Sequence, residues 1–255
     1  GMLAVLAGIA AYFFLINSPQ DAKFLEKDEK KALLDVMALE DTVKEETGPR
    51  GVLAAMKNGK VWYFTVIYFC LQVAVYGVTF YLPQQVAQLT GQKVGLAVGL
   101  MAAIPWFFGI FACYFIGRAA NTVVRRRVWG TGLFISTGLC IFGSAWAGAN
   151  HIPALGIVFI SLAVCSFLSI GPIAWSYPTA FLTGTAAAAG IGLINSLGNL
   201  GGFVAPILRT SVNQITASDT GTMGVYALGV LPFLAAAMMF ATKRFQNKAD
   251  ELLEQ

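Results

Sequence analysis

The residues of this chain best equipped to hold a small molecule form two pairs. Asn195 and Asn199 are four apart, and so are Gln72 and Tyr76. Side chains at i and i+4 share one face of a helix. Each of the four lies in a long apolar run, where hydrocarbon satisfies none of its donors or acceptors. Each must therefore meet a partner helix or a wet cavity, and two such pairs at mid-span depth favour a shared polar cavity. Amides placed there hold hydroxyls or a carboxylate by hydrogen bonds without adding net charge. Trp175 is a further candidate, set in Gly171-Pro172-Ile173-Ala174-Trp175-Ser176-Tyr177-Pro178. Helices broken at such prolines free backbone groups of the kind that build midplane sites in transporters. The indole would stack on a substrate or close one side of the cavity. Tyr76 and Ser169 are added from helix face and depth.

Other chemistries lack their residues. The single His, His151, sits in a short loop and reads as a solvated side chain. A membrane-embedded serine protease needs a Ser–His pair, which this sequence does not offer. It holds no phosphate-binding loop, nucleotide fingerprint or metal-ligand cluster. Cys70, Cys113, Cys140 and Cys165 all fall in apolar runs without a CxxC spacing, and read as packing residues. No cofactor, metal or catalytic role is expected.

The elements that must position these side chains are membrane spans. Hydrophobic residues make up 57% and charged residues 12%, against about 25% charged in soluble domains. From Val61 to Ser218 there is no Asp or Glu. A span needs about 20 apolar residues. The apolar runs predict a partial first segment, Met2–Ile16, and six spans: Val61–Leu82, Val94–Ile116, Val128–Ala149, Pro153–Leu182, Ala186–Val212 and Thr222–Thr242. Pro172 and Pro178 predict a kink or local unwinding late in Pro153–Leu182. The sixth-segment glycines, Gly190, Gly192, Gly198, Gly201 and Gly202, include the GxxxG pair Gly198 and Gly202, which lets helices approach closely. The chain opens within an apolar run at Gly1, and we expect it to be the C-terminal part of a longer protein.

Charge sets the orientation. With alternating spans, all but two of the 17 basic residues fall on one side. The exceptions are Lys93 and Arg209, the latter near the end of its span. The positive-inside rule then puts the loop 17–60, the Arg118–Arg127 cluster and the C-terminus in the cytoplasm. Trp62, Trp129 and Trp146 lie near span ends, as aromatic anchors do. The net charge of +4 reflects this sidedness and points to the lipid bilayer as partner, with no nucleic acid. Ser18-Pro19-Gln20-Asp21 fits a helix start. The apolar residues that follow, from Phe24 to Leu39, read as one amphipathic helix lying on the membrane face or on the protein.

Two motifs carry a family resemblance. The loop from Gly117 to Arg127 resembles the G-x-x-x-D-R-x-G-R-R-R motif of the major facilitator superfamily in its second-half copy. Gly117 and the basic residues Arg118, Arg125, Arg126 and Arg127 match, while Asn121 replaces the acid and Val124 the second Gly. The stretch from Trp175 to Phe203 is more specific. It resembles the anion:cation symporter family, in its tartrate, sugar-acid and phthalate permease branch. Asp21-Ala22-Lys23-Phe24-Leu25 resembles that branch's central loop.

The resemblance implies an all-α polytopic bundle, the C-terminal six-helix half of the fold plus the end of the preceding helix. It divides the chain into the end of transmembrane helix 6 (1–16), a cytoplasmic central loop (17–60), the six-helix domain (61–242) and a cytoplasmic tail (243–255). It implies a proton- or sodium-coupled symporter of a small organic anion, working by alternating access against an N-terminal half in a bacterial inner membrane. Gln72, Trp175, Asn195 and Asn199 match positions where relatives bind the anion. The coupling carboxylates would lie in the other half. The rival expectation is a complete small homo-oligomeric channel or structural subunit.

Overall fold

A computed structural model describes all residues except 17, 92, 219–220 and 246–255. Asn17 and most of the expected C-terminal tail therefore lie outside the described residues. The chain forms two compact units, residues 1–49 and 50–255.

In the first unit, α1 (Met2–Phe14) is an apolar helix. The Ser18 hydroxyl accepts from the Gln20 amide at 3.2 Å, as a helix cap does. It nucleates only a single 3₁₀ turn, Pro19–Asp21. The amphipathic helix α2 (Lys27–Thr47) starts later, where the Glu29 carboxylate accepts from the Glu26 amide at 3.1 Å. The helix start read at Ser18 is thus displaced: the cap is real, but the chain turns again before the long helix begins.

The second unit begins with the short α3 (Val52–Lys57). The helices α4 (Gly59–Thr79), α5 (Leu82–Thr90), α6 (Leu96–Ala119) and α7 (Val123–Ala149) follow. Then come α8 (Pro153–Phe181), α9 (Gly184–Asn199), α10 (Gly201–Ile215) and α11 (Thr222–Ala241). Among the described residues, six helical stretches are long and apolar enough to cross a membrane, α9 and α10 together making one, Gly184–Ile215. The expected all-α, six-span bundle is the architecture observed.

The spans differ from the sequence reading in three places. Helix α7 starts five residues earlier than the apolar run, because the Thr122 hydroxyl accepts from the Arg125 amide at 3.3 Å. This places Arg125, Arg126 and Arg127 in its first turns. Helix α5, unread in the sequence, is bounded by Pro83 in its first turn and by Gly91 at a φ of 68°. Helix α8 is continuous through Pro172 and Pro178, where unwinding was expected. Nearby hydroxyls back-bond to its carbonyls, Ser176 to Ile173 at 2.7 Å and Thr179 to Trp175 at 3.0 Å. These bonds fall on the carbonyls either side of Ala174, whose usual N–H partner Pro178 lacks, and brace the turn around the proline without replacing that bond. The interruption falls instead in the last-but-one span, at Leu200.

Helix α4 is the hub of this unit and packs against α8, α9, α10 and α11. Its approach to the α9–α10 junction depends on glycine. A Cβ at Gly201 would lie 2.7 Å from the Phe69 carbonyl oxygen and 2.8 Å from the Val73 nitrogen, both α4 backbone. At Gly202 it would lie 2.7 Å from the Tyr76 ring, and at Gly198 it would overlap the Tyr68 ring. The GxxxG pair thus faces α4. Gly192, in the same glycine series, has no atom within 4 Å of such a Cβ.

Gly201→Ala is therefore expected to destabilise the folded protein by about 1–3 kcal/mol, the usual cost of overpacking, because backbone cannot move aside as a side chain can. Gly192→Ala, with open space at its Cβ, should leave stability unchanged or raise it by up to about 1 kcal/mol through the better helix propensity of Ala. Thermal unfolding of both variants in detergent checks the contrast, and equal midpoints would show that α4 does not press on Gly201.

Candidate functional site

The polar residues of the spans converge where α4 meets the α9–α10 junction. Tyr68, Gln72 and Tyr76 lie at successive i+4 positions and form one row along α4. Gln72 is 9% exposed, so its amide has to be paired. Its Nε2 donates to Oδ1 of Asn199 at 2.6 Å, and the Tyr76 hydroxyl donates to the same oxygen at 3.3 Å. The Nδ2 of Asn199 donates to the Asn195 carbonyl at 2.8 Å and to Asn195 Oδ1 at 2.9 Å. The two pairs that the i+4 spacing picked out are thus one hydrogen-bonded group.

Within that group the residues differ in what they have left to offer. Asn199 uses both acceptor positions and both donors on its neighbours. It can hold the group together but has nothing left for a ligand. Asn195 is exposed, and its Nδ2 makes no hydrogen bond among the described residues. Two N–H donors therefore point away from the clasp, suited to a hydroxyl or carboxylate oxygen. Because Asn199 ends α9 and bonds back to a carbonyl one turn earlier, the clasp also stabilises the break at Leu200.

Trp175 reaches this group through one ring. The Tyr68 and Trp175 rings meet edge to face, with centroids 5.0 Å apart. Tyr68 was missed in the sequence reading, although its place four residues before Gln72 was the available signal. Ser169 does not join the group. It is buried, its hydroxyl donates to the Cys165 carbonyl at 2.8 Å, and it lies 3.9 Å from the Cys113 sulfur on α6. Depth suggested it, but its face of α8 is turned to a different neighbour.

Arg209 was also read only as a residue near a span end. Its guanidinium carbon sits 3.8 Å from the centroid of the Tyr81 ring, a cation–π contact, with no ion pair among the described residues. Its Nη1 is buried without a hydrogen-bond partner among the described residues. His151 is exposed in the tight turn between α7 and α8. All four cysteines are free thiols. In the basic loop, Arg125 Nη1 donates to Asn121 Oδ1 at 3.2 Å, and Arg126 Nε donates to the Ala120 carbonyl at 3.4 Å. Asn121 serves there as an uncharged acceptor where the resembled motif has an acid. Gly117, one turn before that loop, has open space around it, and Arg118 donates to the Tyr114 hydroxyl at 3.1 Å.

Comparison with known proteins gives a consistent family. Residues 1–206 match the model of the Major Facilitator Superfamily. The chain is 37% identical over 243 residues to the inner membrane transport protein RhmT of Escherichia coli (strain K12), covering 95% of this chain and 54% of that protein. It is 32% identical over 250 residues to a putative tartrate transporter of Agrobacterium vitis, covering 97% of this chain and 54% of that protein. A quinolone resistance transporter of Acinetobacter baumannii is 29% identical over 233 residues, covering 91% and 52%. The chain spans about half the length of the curated relatives it matches.

The clasp makes a differential prediction. Asn199→Ala strands the buried Gln72 amide and should cost about 1–3 kcal/mol. Asn195→Ala removes an exposed amide and should cost far less. Thermal unfolding of the two variants side by side measures this, and an equal loss would show that Asn199 is not the hub.

Proposed function

The chain belongs to the Major Facilitator Superfamily, and from that premise we propose that it forms the C-terminal half of a secondary active transporter for a small organic anion. The family is one of membrane transporters rather than enzymes, and the chain is a multi-pass membrane protein. The observation that carries the proposal is the amide clasp, with its saturated hub at Asn199 and its unspent donors at Asn195.

The substrate class follows from these groups. Asn195, Gln72 and Tyr76 offer neutral hydrogen bonds, and Trp175 with Tyr68 offers an aromatic wall. A sugar acid, a tartrate-like hydroxy acid or an aromatic carboxylate has hydroxyls or a ring to match. Relatives named for tartrate support the hydroxy acid. No cationic side chain stands in this group, so the partner of the substrate carboxylate is an Arg or Lys of the N-terminal half. The absence of Asp and Glu from Val61 to Ser218 is consistent with coupling through carboxylates of that half, with a proton, or else sodium, as the proposed cation. Substrate would bind between the halves, and their rocking would expose it to each side in turn. Ser169, turned toward α6, is assigned to helix packing.

The asymmetry of basic residues orients the chain with its C-terminus and the Gly117–Arg127 loop in the cytoplasm. A relative named as an inner membrane protein supports placement in a bacterial inner membrane.

Uptake of labelled sugar acids and tartrate by cells expressing the full-length protein tests this reading. Asn195→Ala is expected to reduce uptake by at least tenfold while the protein still reaches the membrane. Unchanged uptake with unchanged apparent affinity would remove Asn195 from the site. No uptake of any of these acids by the unaltered protein would overturn the substrate class.

A further inference from the structure

A second feature lies at the opposite kind of location, where two spans end among basic residues. The last turn of α11 and the 3₁₀ turn that follows it, Thr242–Phe245, face the start of α7 across a cleft of about 390 Å³. Arg127, Phe240, Ala241, Lys243 and Arg244 line it. Among the described residues that line it, three are cations and none is a carboxylate.

The cleft is held in shape from below. Helices α7 and α11 pack along their length, and a Cβ at Gly130 would lie 3.2 Å from Met239 Cγ. Thr242 is buried, and its hydroxyl donates to the Met239 carbonyl at 2.7 Å. That bond fixes the turn that presents Lys243 and Arg244. Two of the nearby arginines, Arg125 and Arg126, are engaged with the loop's own oxygens.

Its surroundings decide which anion suits it. Phe240 is 69% exposed beside the cations, and Val124 and Val128 of α7 are exposed too. Trp129, also exposed, stands near the start of the same span, where aromatic anchors mark the level of the headgroups. A site for a small soluble anion needs the cations alone. Cations at the rim of an apolar, outward-facing helix surface suit an anion that carries acyl chains. Basic pockets between spans bind lipid headgroups by this logic.

We propose that this cleft binds the headgroup phosphate of an anionic phospholipid, with the acyl chains lying along α7 and α11. The site is separate from the amide clasp and needs only that the chain spans a membrane. Its failure would leave the transport reading untouched, and the reverse holds as well.

The test is native mass spectrometry of the full-length protein in detergent, titrated with phosphatidylglycerol or phosphatidylcholine. Phosphatidylglycerol should stay bound where phosphatidylcholine is stripped. The variant K243Q/R244Q should lower its affinity by about tenfold or more, since each cation near an anionic headgroup contributes severalfold, and K243R/R244K should retain it. Lys243→Gln alone, at an exposed position, reads the same loss at smaller size should the double variant not fold. Equal retention of the two lipids, or unchanged binding in both glutamine variants, would overturn the proposal. So would displacement by millimolar inorganic phosphate, which would make this a free-anion site. Binding that emerges only after removal of residues 246–255 would make the acidic tail the occupant and overturn it too.

Discussion

Hydrocarbon offers no hydrogen-bond partner, and the buried Gln72 amide sits in the middle of an apolar span. Its partner must come from another helix at bonding distance. That requirement brings α4 against α9 and α10 closely enough that Gly201 has α4 backbone where a Cβ would stand. The glycines and the amides are therefore one device: the small residues permit the approach, and the hydrogen bonds select its register. Because α4 also contacts α8 and α11, this register is passed on to most of the bundle.

The parts of this arrangement that depend on composition were legible in the sequence. Apolar length marked the six spans, and i+4 spacing marked which amides share a face. Pairing between helices was not legible, because Gln72 and Asn199 are far apart in sequence and no local pattern joins them. The prolines of α8 do not unwind it, for a physical reason. Proline removes one hydrogen bond of many, the turns around it keep theirs with Ser176 and Thr179 hydroxyls bonded back to the helix, and the helix continues. Leu200 carries no breaker signature, and its flanking glycines fit close packing as well as they fit a break. Ser169 shows the limit of depth as an argument: depth says how far along a helix a residue lies, not which neighbour it faces.

Arg209 shows how the acid-free region handles a charge. An arginine within a span ordinarily calls for a carboxylate or an exit to water. Here the Tyr81 ring takes its face at 3.8 Å, so the charge is stabilised without introducing an acid that would itself need desolvation. The same economy operates in the loop after α6, where Asn121 accepts from Arg125 with a neutral oxygen. Both contacts give the cation a weaker but uncharged partner, and both keep Val61–Ser218 free of carboxylates.

Under the transport reading, neutrality also bears on which parts move. A charged group fixed in this half would need its counter-charge at every stage, including those in which the halves separate and the partner withdraws. An amide group has no such demand. Asn199 is satisfied entirely by Gln72, Tyr76 and Asn195, all in this half, so the clasp costs the same whichever side is open. On that reading the outward donors of Asn195, and whatever capacity Gln72 and Tyr76 keep beyond the clasp, would exchange partners as substrate and water come and go. The rigid element and the exchanging element are thus adjacent residues on one helix face. Under the proposed reading, the motion of transport would fall at the interface with the other half and leave the packing around α4 undisturbed.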